Sequence, residues 1–135
     1  MSVVEEKLRE IPIFRECSTK ELKSISRLIT QVQVKPGSVL TRQGDAGREF
    51  MIIVEGQATV RRDGKVLATL GPGDFFGELA VIAGVPRIAT ITADTEMTID
   101  ALNRREFSSL LDESPKIAKK ILIGAVARLN ENERY

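Results

Sequence analysis

Residues 50–73, FMIIVEGQATVRRDGKVLATLGPG, decide the fold. Phe50 to Val54 is a continuous apolar run that ends before Gly56. Ala58 and Val60 then alternate with polar residues as far as Asp63-Gly64, a dipeptide that favours a two-residue hairpin because both positions tolerate φ > 0. Val66 to Leu70 reads as the returning strand, stopped by Gly71-Pro72-Gly73. The gaps are too short for a helical crossover, so the pairing is expected to be antiparallel.

The same period extends outward. Upstream, Val32 and Val34 alternate before Pro36-Gly37, and Val39 and Thr41 precede Gly44-Asp45. Downstream, Ile88 to Ala93 and Met97 to Leu102 read as strands. Short strands at close, regular spacing predict a mainly β fold with flanking helices: an eight-stranded antiparallel β-roll, jelly-roll-like, over residues 30–102. N-terminal helices fill 1–29. Val3 to Arg9 forms the first, ending before Pro12, and a Ser18–Glu21 capping box opens a second through about Ile29. Two C-terminal helices fill 103–135. Arg104 to Asp112 carries Phe107, Leu110 and Leu111 on one face, and Ser114-Pro115 opens a longer helix toward Arg134. The 135 residues suit a single domain, large enough to bury roughly two-thirds of its unfolded surface without disulfides or metal.

Composition excludes several classes of function. The net charge of +1, from 20 basic and 19 acidic residues, gives no footprint for nucleic acid. The longest apolar runs fall well short of the ~20 residues of a membrane span, and the charged start MSVVEEKLRE is unlike a signal peptide, so the expected location is cytoplasmic. With no histidine and one cysteine, the chain lacks the usual metal-ligand sets and a His general base, so neither a metal site nor a catalytic residue is expected. Cys17, between Phe14 and a helix cap, reads as a small packing residue rather than a redox sensor.

The remaining chemistry concentrates in residues 73–92, GDFFGELAVIAGVPRIATIT. Glu78 stands nine residues before Arg87, with glycines at 71, 73, 77 and 84 around them. Glu78 to Ile82 fits a single helical turn whose N-terminal N–H groups attract anions. Arg87 offers bidentate charge-assisted bonds to a phosphate, and Glu78 an acceptor for hydroxyls. Spacing alone leaves two readings open: a ligand site, or a salt bridge over a turn.

The stretch FGELAVIAGVPRIAT resembles the phosphate-binding cassette of the cyclic-nucleotide-binding domain family, known from kinase regulatory subunits, gated channels and catabolite activator proteins. The match falls on Phe76, Gly77, Glu78, Leu79, Ala80, Pro86, Arg87, Ala89 and Thr90. It extends to Pro36-Gly37, Gly44-Asp45, Ile53 to Gly56, Val60 and Leu70 to Asp74, roughly residues 10 to 130 in all. The resemblance implies a sensor that binds a 3′,5′-cyclic nucleotide and no cofactor, and is not an enzyme. Arg87 would pair with the cyclic phosphate, aided by the Ile88 N–H, with Ala89 beside it on the strand. Glu78 would accept the ribose 2′-OH, assisted by Gly77 backbone, and Leu79 and Ala80 would form the short helix facing the phosphate.

Ile88 departs from the threonine or serine of many cGMP-selective members. It offers guanine no hydroxyl, at a cost of about 1–3 kcal/mol for an unpaired buried amine, so cAMP is expected over cGMP. The apolar residues of 116–134 cover more than one helical stripe. That suits a broadly buried helix, a lid over the base, or the seam of a homodimer or effector contact. The resemblance implies a C-terminal helix over the bound base with a capping residue, for which Arg128, Leu129, Asn130 and Tyr135 are the candidates. Three rivals are weaker: a DNA-binding activator needs a recognition helix this sequence lacks, a cupin-type metalloenzyme needs histidines, and a ligand-independent β-roll module leaves Glu78 and Arg87 unexplained.

Overall fold

The computed structural model describes residues 3–130, apart from the side chains of Val4, Leu79 and residues 128–130. The chain begins with α1 (Val3–Glu10), a 3-10 turn (Pro12–Phe14) and α2 (Thr19–Ser26). The strands are β1 (Thr30–Val34), β2 (Val39–Thr41), β3 (Glu49–Glu55), β4 (Ala58–Arg62), β5 (Lys65–Leu70), β6 (Phe75–Phe76), β7 (Thr90–Ala93) and β8 (Met97–Asn103). The short α3 (Glu78–Ala83) lies between β6 and β7, and α4 (Arg104–Glu113) and α5 (Pro115–Asn130) follow β8. Two four-stranded sheets, ordered β1-β8-β3-β6 and β2-β7-β4-β5, form the roll, and the strand pairs are antiparallel.

The uninterrupted apolar run of β3 has a direct cause: this strand is covered on both faces. Phe50 and Ile52 point to the helical side, where they join Leu8, Phe14, Leu22, Ile25, Leu102, Phe107, Leu110, Ile117 and Ile121. Ile53 points between the sheets, with Val60, Leu70, Phe76, Ile91, Met97 and Ile99. Phe50 ties the helical cluster together, its ring centroid 5.6 Å from that of Phe75 and 4.5 Å from that of Phe107. Truncating so central a buried ring costs about 3–5 kcal/mol.

Helix boundaries follow side-chain caps. Ser18 and Glu21 form the expected capping box at α2, and Asn103 and Glu106 form another at α4. Ser114 is buried and its carbonyl accepts from the Ile117 and Ala118 N–H groups, which starts α5. Cys17 is 4% exposed, and burial pushes its thiol above the ordinary value, as a packing residue should behave.

Three boundaries differ from the sequence expectation. α2 ends at Ser26 rather than near Ile29, because Arg27 and Leu28 donate to Ser24 and Ile25 in i→i−3 bonds and Thr30 must extend to pair with Ala101. β6 is an additional strand of two residues, too short to show a period. β7 begins at Thr90 rather than Ile88, since the backbone of Arg87 is engaged with the 44–45 turn instead of a sheet ladder. Ala89 therefore precedes the strand.

α5 buries one stripe, Ile117, Ile121 and Ala125, at four-residue spacing, while Leu122, Ile123 and Val126 are 63, 58 and 46% exposed. Among its described residues the helix is thus not broadly buried. Gly124 lets α5 approach the sheet closely: a Cβ there would lie 2.7 Å from the Phe75 ring. Among the described residues no helix is long and apolar enough to cross a membrane.

Candidate ligand-binding site

The chain leaves β6 through Gly77, whose φ of 93° lies where an L side chain is strained. That turn aims α3, six residues long, which Gly84 closes at φ 68° with its N–H donated to the Ala80 carbonyl. Glu78 occupies the first helical position, favourable for a negative charge, and is 1% exposed. Ala80 and Val81 are buried beneath the helix, whereas Ile82 and Val85 are exposed. Leu79 lies in α3, its side chain outside the described set.

Arg87 is 9% exposed although it belongs to a loop. Its Nη2 donates to the Glu49 carbonyl at 2.6 Å. A Cβ on Gly77 would collide with Arg87 Nη1 and lie 2.6 Å from the Glu49 carbonyl. One on Gly47 would collide with Ala80 and lie 2.8 Å from Arg87 Nε. Two glycines therefore leave the space that the guanidinium occupies between α3 and the β2–β3 connection. Burial pushes the guanidinium below its ordinary pKa, while the negative charges of Glu49 and Glu78 act in the opposite direction and favour the cation.

The Arg87 main chain is held as firmly. Its N–H donates to the Asp45 carbonyl and its carbonyl accepts from the Gly44 N–H, each at 2.8 Å. Pro86 bridges Ala46. Thr41 Oγ1 donates to the Ala89 carbonyl, and the Gln43 N–H donates to Thr90 Oγ1. Ile88 is half-buried and Ala89 fully buried. The result is a buried cation and a buried carboxylate side by side at the mouth of a six-residue helix. Such a pair can grip a small ligand carrying both a phosphate and hydroxyls. No group of three or more Cys, Asp or Glu suited to a metal occurs among the described residues.

The structure thus brings together Gly77, Glu78, Ala80, Arg87, Ile88 and Ala89, and places Leu79 in the same helix. The candidate caps are a separate matter. Arg128, Leu129 and Asn130 fall in the last turn of α5 with their side chains outside the described set, and Tyr135 lies outside the described residues. Gly47 and the Glu49 carbonyl were not anticipated. A carbonyl has no sequence signal, but two glycines within Gly44-Asp45-Ala46-Gly47, where one suffices for a turn, pointed to a close approach.

The chain is similar to known proteins in both sequence and fold. A cyclic nucleotide-gated potassium channel of Rhizobium etli is 37% identical over 118 residues, covering 87% of this chain and 33% of the channel. The chain spans about a third of the length of the curated relatives it matches. The solved structure "Sp-2Cl-cAMPS bound to PKAR CBD2" superimposes with a TM-score of 0.81 at 28% identity, covering 97% of this chain and 90% of that one. The regulatory subunit of a cAMP-independent protein kinase A from Trypanosoma brucei also superimposes, with a TM-score of 0.77 at 27% identity, covering 88% and 46%. A structure with Sp-2Cl-cAMPS bound and the regulatory subunit of a cAMP-independent kinase both share this fold, so the fold alone does not assign the ligand. The model of the cyclic nucleotide-binding domain matches residues 31–114, from the start of β1 to the end of α4. With that match spanning the roll, α3 and the Arg87 corner, this chain belongs to the cyclic nucleotide-binding domain family.

Proposed function

We propose that the chain is a cAMP sensor whose occupancy is relayed through α4 and α5. The observation that carries the proposal is the buried Arg87 guanidinium, seated between Gly47 and Gly77 beside the buried Glu78. A buried cation with a nearby carboxylate suits a ligand whose single phosphate charge lies close to a free hydroxyl. Arg87 pairs with the exocyclic phosphate oxygens, and the Ile88 N–H adds a second donor. Glu78 accepts the ribose 2′-OH, with Gly77 backbone assisting; Leu79 and Ala80 belong to the short helix that faces the phosphate, and Ala89 lies beside Ile88. Ile88 offers an apolar surface to adenine and no hydroxyl to the guanine amine.

Relay starts from the packing around α3. The aromatic series Phe75, Phe50 and Phe107 links the strand leading into α3 with α4, and Phe75 lies against Gly124 of α5. A shift of α3 toward the phosphate repacks this series and shifts α4 and α5. Ligand drives it only through differential affinity for the two arrangements. The exposed Leu122, Ile123 and Val126 then offer a surface for a second copy or an effector. The module itself performs no chemistry in this reading; it acts in the cytoplasm through what α5 touches.

Calorimetry with cAMP and cGMP tests the proposal. The expected result is one site per chain with cAMP the tighter ligand, and slowed amide exchange in α4 and α5 on saturation. No cAMP binding, or cGMP bound equally well, overturns the ligand assignment; unchanged exchange in residues 104–130 overturns the relay.

A further inference from the structure

The β4–β5 hairpin turn, Asp63-Gly64, has φ of 52° and 78°. Asp63 is the one non-glycine residue at positive φ among the described residues. The turn alone does not require a carboxylate, since asparagine serves that position equally well. What uses the carboxylate is Gln43, twenty residues earlier in the β2–β3 connection. Gln43 Nε2 donates to Asp63 Oδ1 at 2.9 Å, and the Asp63 N–H donates to Gln43 Oε1 at 3.0 Å. The pair is reciprocal, and both of its bonds lie on the exposed side of the molecule.

Gln43 is also at the start of the turn that holds Arg87. Its own N–H donates to Thr90 Oγ1, and the next two residues, Gly44 and Asp45, make both backbone bonds to Arg87. We propose that Gln43 is a positioning residue for the Arg87 clamp: clasped to the tip of the β4–β5 hairpin, it fixes the 42–45 turn and, through that turn, the main chain of Arg87. Removing the clasp leaves Arg87 chemically intact but lets its backbone wander, so ligand escapes faster. The ligand part of this inference rests on the cAMP assignment above; the positioning part does not.

A donor–acceptor exchange tests it. Gln43→Glu sets a carboxylate against the Asp63 carboxylate and loses the donor. Adding Asp63→Asn restores a bond of opposite direction, from the new amide to the new carboxylate. In the ligand-free protein, Gln43→Glu is expected to speed amide exchange at Arg87 about three- to tenfold, the scale of one or two exposed hydrogen bonds, and the double variant returns it to the wild-type rate. With cAMP as probe, the dissociation rate follows the same order, while the association rate and the melting temperature stay nearly constant. Unchanged exchange at Arg87 in Gln43→Glu, or a double variant no better than the single, overturns the inference. If the wild-type protein does not bind cAMP, the ligand assignment fails, and the exchange data still decide the positioning role.

Discussion

The Arg87 corner and the C-terminal helix are held in opposite ways. Arg87 is fixed by two backbone bonds, a side-chain bond to the Glu49 carbonyl and two glycines that leave no slack around it. α5 is held by a single stripe of Ile117, Ile121 and Ala125, with a glycine against Phe75, while Leu122, Ile123 and Val126 are exposed. One region is over-determined and suited to receiving a ligand in a fixed geometry. The other rests on few contacts, which is the condition for an element that moves. In the proposed reading, the site is thus the firmly held region and its reporter the loosely held one.

Arg87→Ala strikes the fixed region hardest. It removes a bidentate charged pair and leaves the phosphate facing Glu78, so cAMP affinity is expected to fall about 100-fold or more. Calorimetry that finds wild-type affinity would move the ligand away from this corner altogether. Gly77→Ala and Gly47→Ala come next. Each puts a methyl group where the guanidinium or α3 now stands, and Gly77 adds a φ of 93° that alanine adopts at a cost. A loss of about tenfold in cAMP affinity is expected from each. If Gly47→Ala bound cAMP as well as the wild type, the corner would be more yielding than α5, and the contrast would be reversed.

Gly124→Leu probes the soft region. It drives a branched side chain into the Phe75 ring while touching none of the groups assigned to phosphate or ribose. The expected outcome is faster amide exchange throughout α5 and loss of its response to cAMP, with affinity changed less than about tenfold. Equal loss of affinity and response would mean that α5 is part of the binding site rather than its reporter. Ile88→Thr makes a smaller change still. It should narrow the cAMP preference over cGMP, by up to the roughly tenfold worth of one recovered hydrogen bond, and leave α5 exchange as it was.

The sequence revealed these two regions unequally. The roll was legible because turn dipeptides such as Asp63-Gly64 and a period of two are local signals, and seven of the strands stand where that pattern put them. The Glu78–Arg87 pair stood out as glycine-flanked charges, but spacing alone left a salt bridge over a turn as open as a ligand site, and it was the resemblance to the cassette that favoured the site. What stayed hidden depends on distant segments. β6 is a strand only because β3 lies beside it. The 86–89 segment stays out of β7 because the 44–45 turn claims the Arg87 backbone. On α5, a sequence shows that apolar residues exceed one stripe, but only the packing distinguishes Ile121 in the core from Leu122 in solvent.

Asp100 offers a control that belongs to neither region. It is 3% exposed in β8, accepting from Gln31 Nε2 at 3.2 Å. Burial raises its carboxyl above the ordinary 3.8, with the Gln31 bond and the positive charge of Lys7 acting in the opposite direction. The native state therefore binds this proton more tightly than the unfolded chain does. The resulting stability is fully present below 3.8 and is lost as pH rises through the higher native value. Asp100→Asn keeps the oxygen that Gln31 uses and removes the buried charge. At pH 7 it is expected to raise the melting temperature by about 2–4 °C, with the advantage shrinking as the pH falls toward 3.8. A pH-independent difference would mean that the charge carries no penalty. Because Asp100 touches neither the Arg87 corner nor α5, cAMP affinity and α5 exchange should not follow the melting temperature. If they did, the contrast between a fixed receptor and a loosely held reporter would reduce to global stability, and the Gly77 and Gly124 variants would lose their separate meanings.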